Sequence, residues 1–399
     1  MQALSNIRVL DLTHIIAGPF CTYQLSVMGA DVIKIENSQA FDSLREDGGD
    51  LEACKAKLGS SFQTQAANKR AIAIDLKTEQ GKTILIELIK TADVLVENYR
   101  AGALAALGFG YEEVKALKED IVYCSLTGFG QHGPLAKRTA YDNVIQAMSG
   151  LMATTGKAES GAVKVGPPVL DYGTGIQAAF AIVTALFQRA QMGEGQYIDV
   201  SMLDSAAMLT GTNFTSLQAS GEAPALVGND SANLAGYGCF DTQQGQLMVG
   251  AYSAEQNHRL WLAMGDEAYG RQLRGMPLYE LSLSRDQDKQ RLSELFLAKT
   301  ADQWELILNE HQVPAARVLG VEEAFSHPQF EHRNVFQDLE VDGKTVTFLA
   351  AAFSFKENGP SVRTPPAKFG EHTAEVLLSL GFHQRDIDSW AALGAIATA

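Results

Sequence analysis

The segment Gly166-Pro167-Pro168-Val169-Leu170-Asp171-Tyr172-Gly173-Thr174-Gly175 places one acidic residue between a proline-restrained approach and an apolar run. The prolines fix the backbone before Asp171 and argue against helix there, while Gly173 and Gly175 permit close backbone approach and conformations closed to other residues. From Thr174 the pattern turns helical and almost wholly apolar, through Ile176, Ala178, Phe180, Ile182, Val183, Leu186 and Phe187, and ends near Gly193-Glu194-Gly195. A carboxylate is therefore expected at the mouth of a buried helix, where the positive end of the dipole and unpaired amides favour its ionised form and can also bind an anion. Two roles fit such a residue: a nucleophile, or a plain helix cap, for which aspartate is a preferred side chain.

The elements that must hold Asp171 follow an α/β alternation. Ile7 to Leu12 reads as a strand, Pro19 to Met28 as a helix with proline in its first turn, and Asp31 to Glu36 as a second strand. A polar, glycine-containing loop over 39–62 is followed by a strand over 71–76, a helix over 78–92 and a strand over 93–97. Right-handed crossovers of this kind build a parallel sheet with ligand sites at the strand ends. The first turn, His14-Ile15-Ile16-Ala17-Gly18-Pro19, is not GxGxxG, which disfavours a dinucleotide cofactor. Composition shifts to Ser, Gly, Asn and Ala around 215–238, read as a linker into a second unit, and another change near 330–346 suggests a return from it.

At 399 residues the chain can bury a sizeable core in two domains. Apolar residues make up 46% and charged residues 20%, ordinary globular usage. No apolar run is seen to reach the ~20 residues needed to span a bilayer. The N-terminus, Met1 to Ser5, runs into a strand rather than a signal peptide, so a cytoplasmic protein with no membrane partner is expected. Cys21, Cys54, Cys124 and Cys239 are too few and too scattered for a disulfide framework and lack a CxxC metal spacing. A net charge of −15 argues against nucleic-acid binding, which needs a basic face, and requires any anionic ligand to find a local basic pocket.

Taken in order, a series of short strings resembles the class III CoA-transferases, a family that includes formyl-CoA and carnitine CoA-transferases and is related to the α-methylacyl-CoA racemases. The strings include Val9-Leu10-Asp11-Leu12 with Ala17-Gly18-Pro19, Gly29 to Glu36, Asn68-Lys69-Arg70 with Asp75-Leu76-Lys77, and Glu97-Asn98-Tyr99. Further along come Gly128-Phe129-Gly130-Gln131-His132-Gly133-Pro134, Tyr141-Asp142, Asp199-Val200-Ser201-Met202, His327-Pro328 and Gly370-Glu371-His372-Thr373. Each is weak alone; their order and spacing carry the likeness.

The resemblance implies a Rossmann-like, parallel-sheet large domain, a smaller α+β domain and an interlocked homodimer. It implies a large CoA-binding domain over 1–215, a linker and small domain over 216–330, and a returning segment over 331–399 that completes the large domain. Asp171 matches the catalytic aspartate. Such a residue attacks the acyl-CoA thioester, giving an anhydride and then an aspartyl-CoA thioester from which a carboxylic acid takes the CoA; no metal or other cofactor is needed, coenzyme A being a substrate moiety. Amides near Gly173 and Gly175, or in a mobile loop, are expected as oxyanion donors. Ile15, Lys69, Arg70, Ile72, Asn98, Tyr99 and Met202 match CoA-lining positions, and Ile16 and Gly173 the substrate pocket. Arg100, Lys137 and Arg138 are candidate phosphate partners on charge alone.

Departures from the family pattern bear on substrate. Ile16 stands where some transferases carry an amide, which disfavours oxalate-like acceptors. No tetraglycine loop is present; Gly228 to Ser231 and Gly236 to Gly238 are candidates for a mobile lid or for an interdomain linker. Tyr141 stands where racemases place a histidine. A tyrosine hydroxyl, ordinarily ionising near pH ~10, is a poor base for a carbon acid, so it is expected to orient a carboxyl group instead. A racemase-like enzyme and a non-catalytic acyl-CoA-binding protein stand as alternatives. Family breadth points to short dicarboxylates such as succinate or mesaconate.

Overall fold

The computed structural model describes residues 1–341 and 343–399. The chain divides into two compact units, one formed by Met1–Gly150, Val165–Thr212 and Pro328–Ala399, the other by Leu151–Lys164 and Asn213–His327. Residues 151–164, which the sequence reading left in the N-terminal portion, thus cluster with the second unit.

The first unit is built on a seven-stranded sheet. Its strands are β1 (Arg8–Leu12), β2 (Asp31–Glu36), β3 (Lys69–Ile74), β4 (Val94–Glu97), β5 (Val122–Thr127) and β6 (Gln196–Ser201), with Ile396–Ala397 on the outer edge of β3. The spatial order is Ile396–Ala397, then β3-β2-β1-β4-β5-β6, all parallel except the edge strand. The order reverses between β1 and β4, the crevice where doubly wound sheets take ligands beyond the strand C-termini.

The strands are apolar on both sides because both faces are covered. Leu10, Leu12, Ile33, Ile35, Ile72 and Ile74 point to one face, where Ile84, Leu85, Leu88 and Ile89 of a helix over Glu79–Lys90 pack on them. Val9, Val32, Val94, Val96 and Val122 point to the other, against Cys21, Leu25, Ala178 and Ile182. Each fully buried aliphatic side chain of this size contributes about 1.5–3 kcal/mol.

The second face is covered by α1 (Ala17–Val27), α2 (Asp142–Met148) at its margin, and α3 (Val169–Met192), a 24-residue helix closed by Gly193 in a left-handed conformation. The helix begins five residues earlier than expected, directly after Pro168, because proline is well tolerated at the entry to a first turn. Gly175 lets α3 lie close on α1: a β-carbon there would stand 2.6 Å from the Ala17 carbonyl oxygen. By length and composition α3 is also apolar enough to cross a bilayer, contrary to the expectation that no run of that length occurs. Its buried residues, among them Leu170, Thr174, Ala178, Ile182 and Leu186, form one stripe.

The returning segment ties itself to the outer edge of β3. Ala71 N–H donates to His372 Nδ1 and Ala73 N–H to the Thr373 hydroxyl, so side chains there stand in for a neighbouring strand. His372 precedes the helix Thr373–Ser379 without capping it.

In the second unit an antiparallel sheet of Tyr237–Asp241, Gln246–Gly250 and Ala315–Arg317 packs with helices around Trp261, Phe296 and Trp304. The lid candidate Gly228–Ser231 is anchored within this unit. Gly228 N–H donates to the Gly156 carbonyl, Asp230 pairs with Lys289, and Arg285 donates to the Ser231 carbonyl.

Candidate active site

Beyond the C-terminal ends of β1, β4, β5 and β6 lies a small cavity of about 90 Å³ with Asp171 in its wall. It is lined by the turn His14–Ala17 after β1, Asn98 after β4, Thr127 and Gly128 at the end of β5, Tyr141, Thr174 and Met202. Asp171 is the third residue of α3 and only 7% exposed. Burial and the nearby charge of Asp142 push its carboxyl up to about 7, against the opposing pull of the Ala17 backbone N–H.

The cap of α3 is Asp142 rather than Asp171. One Asp142 oxygen accepts the backbone N–H groups of Leu170 (2.7 Å) and Asp171 (3.2 Å), and the other accepts the Gln146 amide at 2.5 Å. Two of the four orphan donors of a helix start are thereby satisfied by a neighbouring helix, leaving the Asp171 carboxylate free for the cavity. Gly173 and Gly175 do not serve as expected. Both lie inside α3, where helical hydrogen bonding consumes their amides, neither has positive φ, and Gly173 is outside the cavity lining.

The turn between β1 and α1 is held from all sides. The Asn98 side chain accepts His14 N–H and donates to the His14 carbonyl; the Asp42 carboxylate accepts Ile15 N–H; Gln65 donates to the Ile15 carbonyl. Beneath it, Lys34 donates to the Thr13 carbonyl and pairs with Asp42. Asp11 is fully buried, yet Lys69 and Lys34, with the Thr13 and Thr22 hydroxyls, outweigh that burial and hold its carboxyl at about 2.

A larger cleft of about 600 Å³ shares His14, Asn98, Thr127, Gly128, Ala140 and Tyr141 with the Asp171 cavity and continues past Tyr99, Arg100 and Arg138. Among the described residues neither arginine has an acidic partner within ion-pair distance. A third cleft, of about 330 Å³, runs from His14, Ile15, Tyr99 and Tyr141 to Asn37 and Phe41. Below Tyr99, Glu97 accepts its N–H at 2.8 Å; burial pushes the Glu97 carboxyl up to about 7 despite hydrogen bonds from Ser125 and Tyr99.

Asp171, Tyr141, Ile15, Ile16, Asn98, Tyr99 and Met202 thus gather around these connected spaces. The β3 residues do not. Lys69 is buried, its ammonium bonded to Asp11, the Pro19 carbonyl and Thr22; Arg70 grips Asp31 and reaches Glu375; Ile72 is fully buried core. Lys69 and Arg70 open β3 rather than precede it, at the sheet edge away from the strand C-termini. Lys137 is exposed and outside the cleft lining. The Tyr141 hydroxyl makes no hydrogen bond to Asp171; the side chain is 65% exposed and faces all three spaces.

Sequence reasoning passed over His14, which also lines all three, and the capping role of Asp142. The position of His14 directly after the strand at the switch point was the available signal; Asp142 carried none, because its partners lie 28 and 29 residues away.

The sequence profile of CoA-transferase family III matches residues 4–373. The succinate–glutarate CoA-transferase of Agrobacterium fabrum is 35% identical over 387 residues, covering 94% of this chain and 95% of that protein. The succinyl-CoA:mesaconate CoA-transferase of Haloarcula hispanica is 32% identical, covering 96% and 97%. Among solved structures, a CAIB/BAIF family protein from Brucella suis superposes with a TM-score of 0.82 at 30% identity, covering 95% of this chain and 99% of that one.

Proposed function

We propose, for a chain that belongs to family III of the CoA-transferases and is thereby an enzyme that transfers CoA, that Asp171 is the nucleophile and short dicarboxylic acids are its substrates. The observation that carries this reading is a buried carboxylate facing a cavity continuous with a long cleft, its cap duty taken over by Asp142.

In the first step an Asp171 oxygen attacks the donor thioester carbonyl and CoA leaves as thiolate, forming a mixed anhydride. The thiolate then attacks the aspartyl carbonyl, expelling the donor acid as its carboxylate and leaving an aspartyl-CoA thioester. The acceptor carboxylate attacks that thioester, CoA departs again, and its attack on the acceptor's acyl carbon releases the new acyl-CoA and regenerates Asp171. A thiolate is a good leaving group, so a carboxylate held in attack geometry suffices. Acylation also removes the Asp171 charge, which relieves its repulsion by Asp142.

The 600 Å³ cleft accommodates the CoA arm, with Arg100 and Arg138 free for its phosphates. Dicarboxylates are favoured because similar proteins are named for succinate, glutarate and mesaconate. The protein is a homodimer in this reading. Ile176, Phe180, Val183 and Phe187 are 54%, 70%, 43% and 67% exposed and recur along one face of α3, an apolar stripe suited to a second copy. The family resemblance makes that dimer interlocked.

The test incubates pure protein with a panel of acyl-CoA donors and carboxylic acids and reads CoA esters by mass spectrometry. Hydroxylamine should modify Asp171 only when acyl-CoA is present. Asp171→Ala should still fold and bind CoA but transfer none; full activity in that variant would sink the covalent mechanism.

A further inference from the structure

We propose that Asp42 and Gln65 are positioning residues for Asp171, acting through the backbone of Ile15; this deepens the reading of Asp171 as nucleophile. Ile15 has a φ of +68°, the left-handed region, where a β-branched side chain is an outlier. Such a conformation persists only when its surroundings over-determine it. Here they do. The Asp42 carboxylate accepts Ile15 N–H at 3.2 and 3.3 Å, and the Gln65 amide donates to the Ile15 carbonyl at 2.7 Å, so both peptide groups flanking the strained α-carbon are gripped.

The clamp is itself anchored. Asp42 is held by buried Lys34, which also bonds the Thr13 carbonyl, and receives Leu44 N–H as the cap of a short turn. Gln65 is 2% exposed, and its side-chain oxygen has no donor among the described residues. A buried amide half satisfied is costly, and among the described residues the one side-chain bond that Gln65 makes is the one to Ile15.

Two residues after Ile15, Ala17 lines the same small cavity as Asp171, together with Ile15 and Ile16, and its backbone N–H favours the ionised form of that carboxyl. Relaxation of Ile15 to a right-handed or extended conformation rotates the following peptides and carries that N–H away. The clamp therefore sets how well the charged nucleophile is supported, without touching it.

The experiment titrates Asp171 directly in protein carrying aspartate labelled with ¹³C at the carboxyl carbon, its signal assigned by loss in Asp171→Asn. Gln65→Met should raise the Asp171 midpoint by about half a pH unit or more, and Asp42→Asn, which loosens the other side of the peptide, should move it the same way. In an Ile15→Gly background, where glycine takes positive φ without help, Gln65→Met should have little effect. The other ionisable groups near Asp171, namely Asp142, His14, Tyr141 and Tyr172, are unchanged in Gln65→Met. Folded Gln65 and Asp42 variants with a wild-type midpoint, or an equal Gln65→Met shift in both backgrounds, would overturn the proposal. No acyl donor is used, so failure of every acid to accept CoA would refute the proposed function and leave this test standing.

Discussion

Asp142 places its carboxylate against the backbone amides of Leu170 and Asp171, so the residue that starts α3 electrostatically also raises the proton affinity of the proposed nucleophile. A plain cap and a reactive carboxylate would otherwise compete for one position. Splitting the two duties keeps Asp171 available at the cavity.

In the proposed mechanism transfer requires ionised Asp171, and burial with the nearby Asp142 charge pushes that carboxyl up to about 7. The acid limb of kcat/KM should therefore fall near pH 7, well above that of an ordinary carboxylate. Asp142→Asn keeps an acceptor for both amides but removes the charge, so the limb should move down by about one pH unit. A pH profile from 5 to 9 checks this; an unmoved limb would show that burial alone sets the Asp171 proton affinity.

The same charge costs stability. Folded Asp171 binds its proton more tightly than an unfolded aspartate, so its favourable contribution is present below about pH 4 and is lost as pH rises through 7. A rise from 3.8 to about 7 corresponds to at most about 4 kcal/mol at 1.36 kcal/mol per pH unit. Asp171→Asn should accordingly raise the melting temperature at pH 8 by several degrees and have little effect at pH 4. Calorimetry at the two pH values decides the matter, and an equal gain at both would contradict it.

Tyr141 is mostly exposed at the junction of the three spaces and makes no bond to Asp171. Its hydroxyl is expected to orient substrate, so Tyr141→Phe should lower the rate about three- to tenfold, the worth of one neutral hydrogen bond. In deuterated water a chiral 2-methylacyl-CoA should show no exchange at the α-carbon. Rapid exchange without an acceptor acid would instead favour racemase chemistry.

An interlocked dimer cannot separate by simple mass action, because unlinking requires unfolding. Mass photometry of protein diluted to nanomolar concentration should show dimer alone. A folded, reversible monomer would rule out the interlocked arrangement.

Local chemistry made the parallel sheet and Asp171 legible in the sequence. Alternating strand and helix patterns with short turns leave few topologies, and an isolated carboxylate between prolines and glycines stands out wherever it lies. The helix start was misplaced because two prolines suggested a break where they in fact lead into the first turn of α3. Lys69 and Arg70 show what sequence could not separate: a basic pair beside a strand reads the same whether it meets a phosphate or, as here, Asp11 and Asp31. Partners so distant in the chain are chosen by packing, since the low dielectric of the interior demands a countercharge for each buried ion. The sequence alone thus determined the class of fold and singled out Asp171 as the candidate carboxylate. Only the tertiary structure decided which charges remain free at the cleft, that Asp142 rather than Asp171 caps α3, and that Asp42 and Gln65 grip Ile15, because each depends on groups brought together from separate segments.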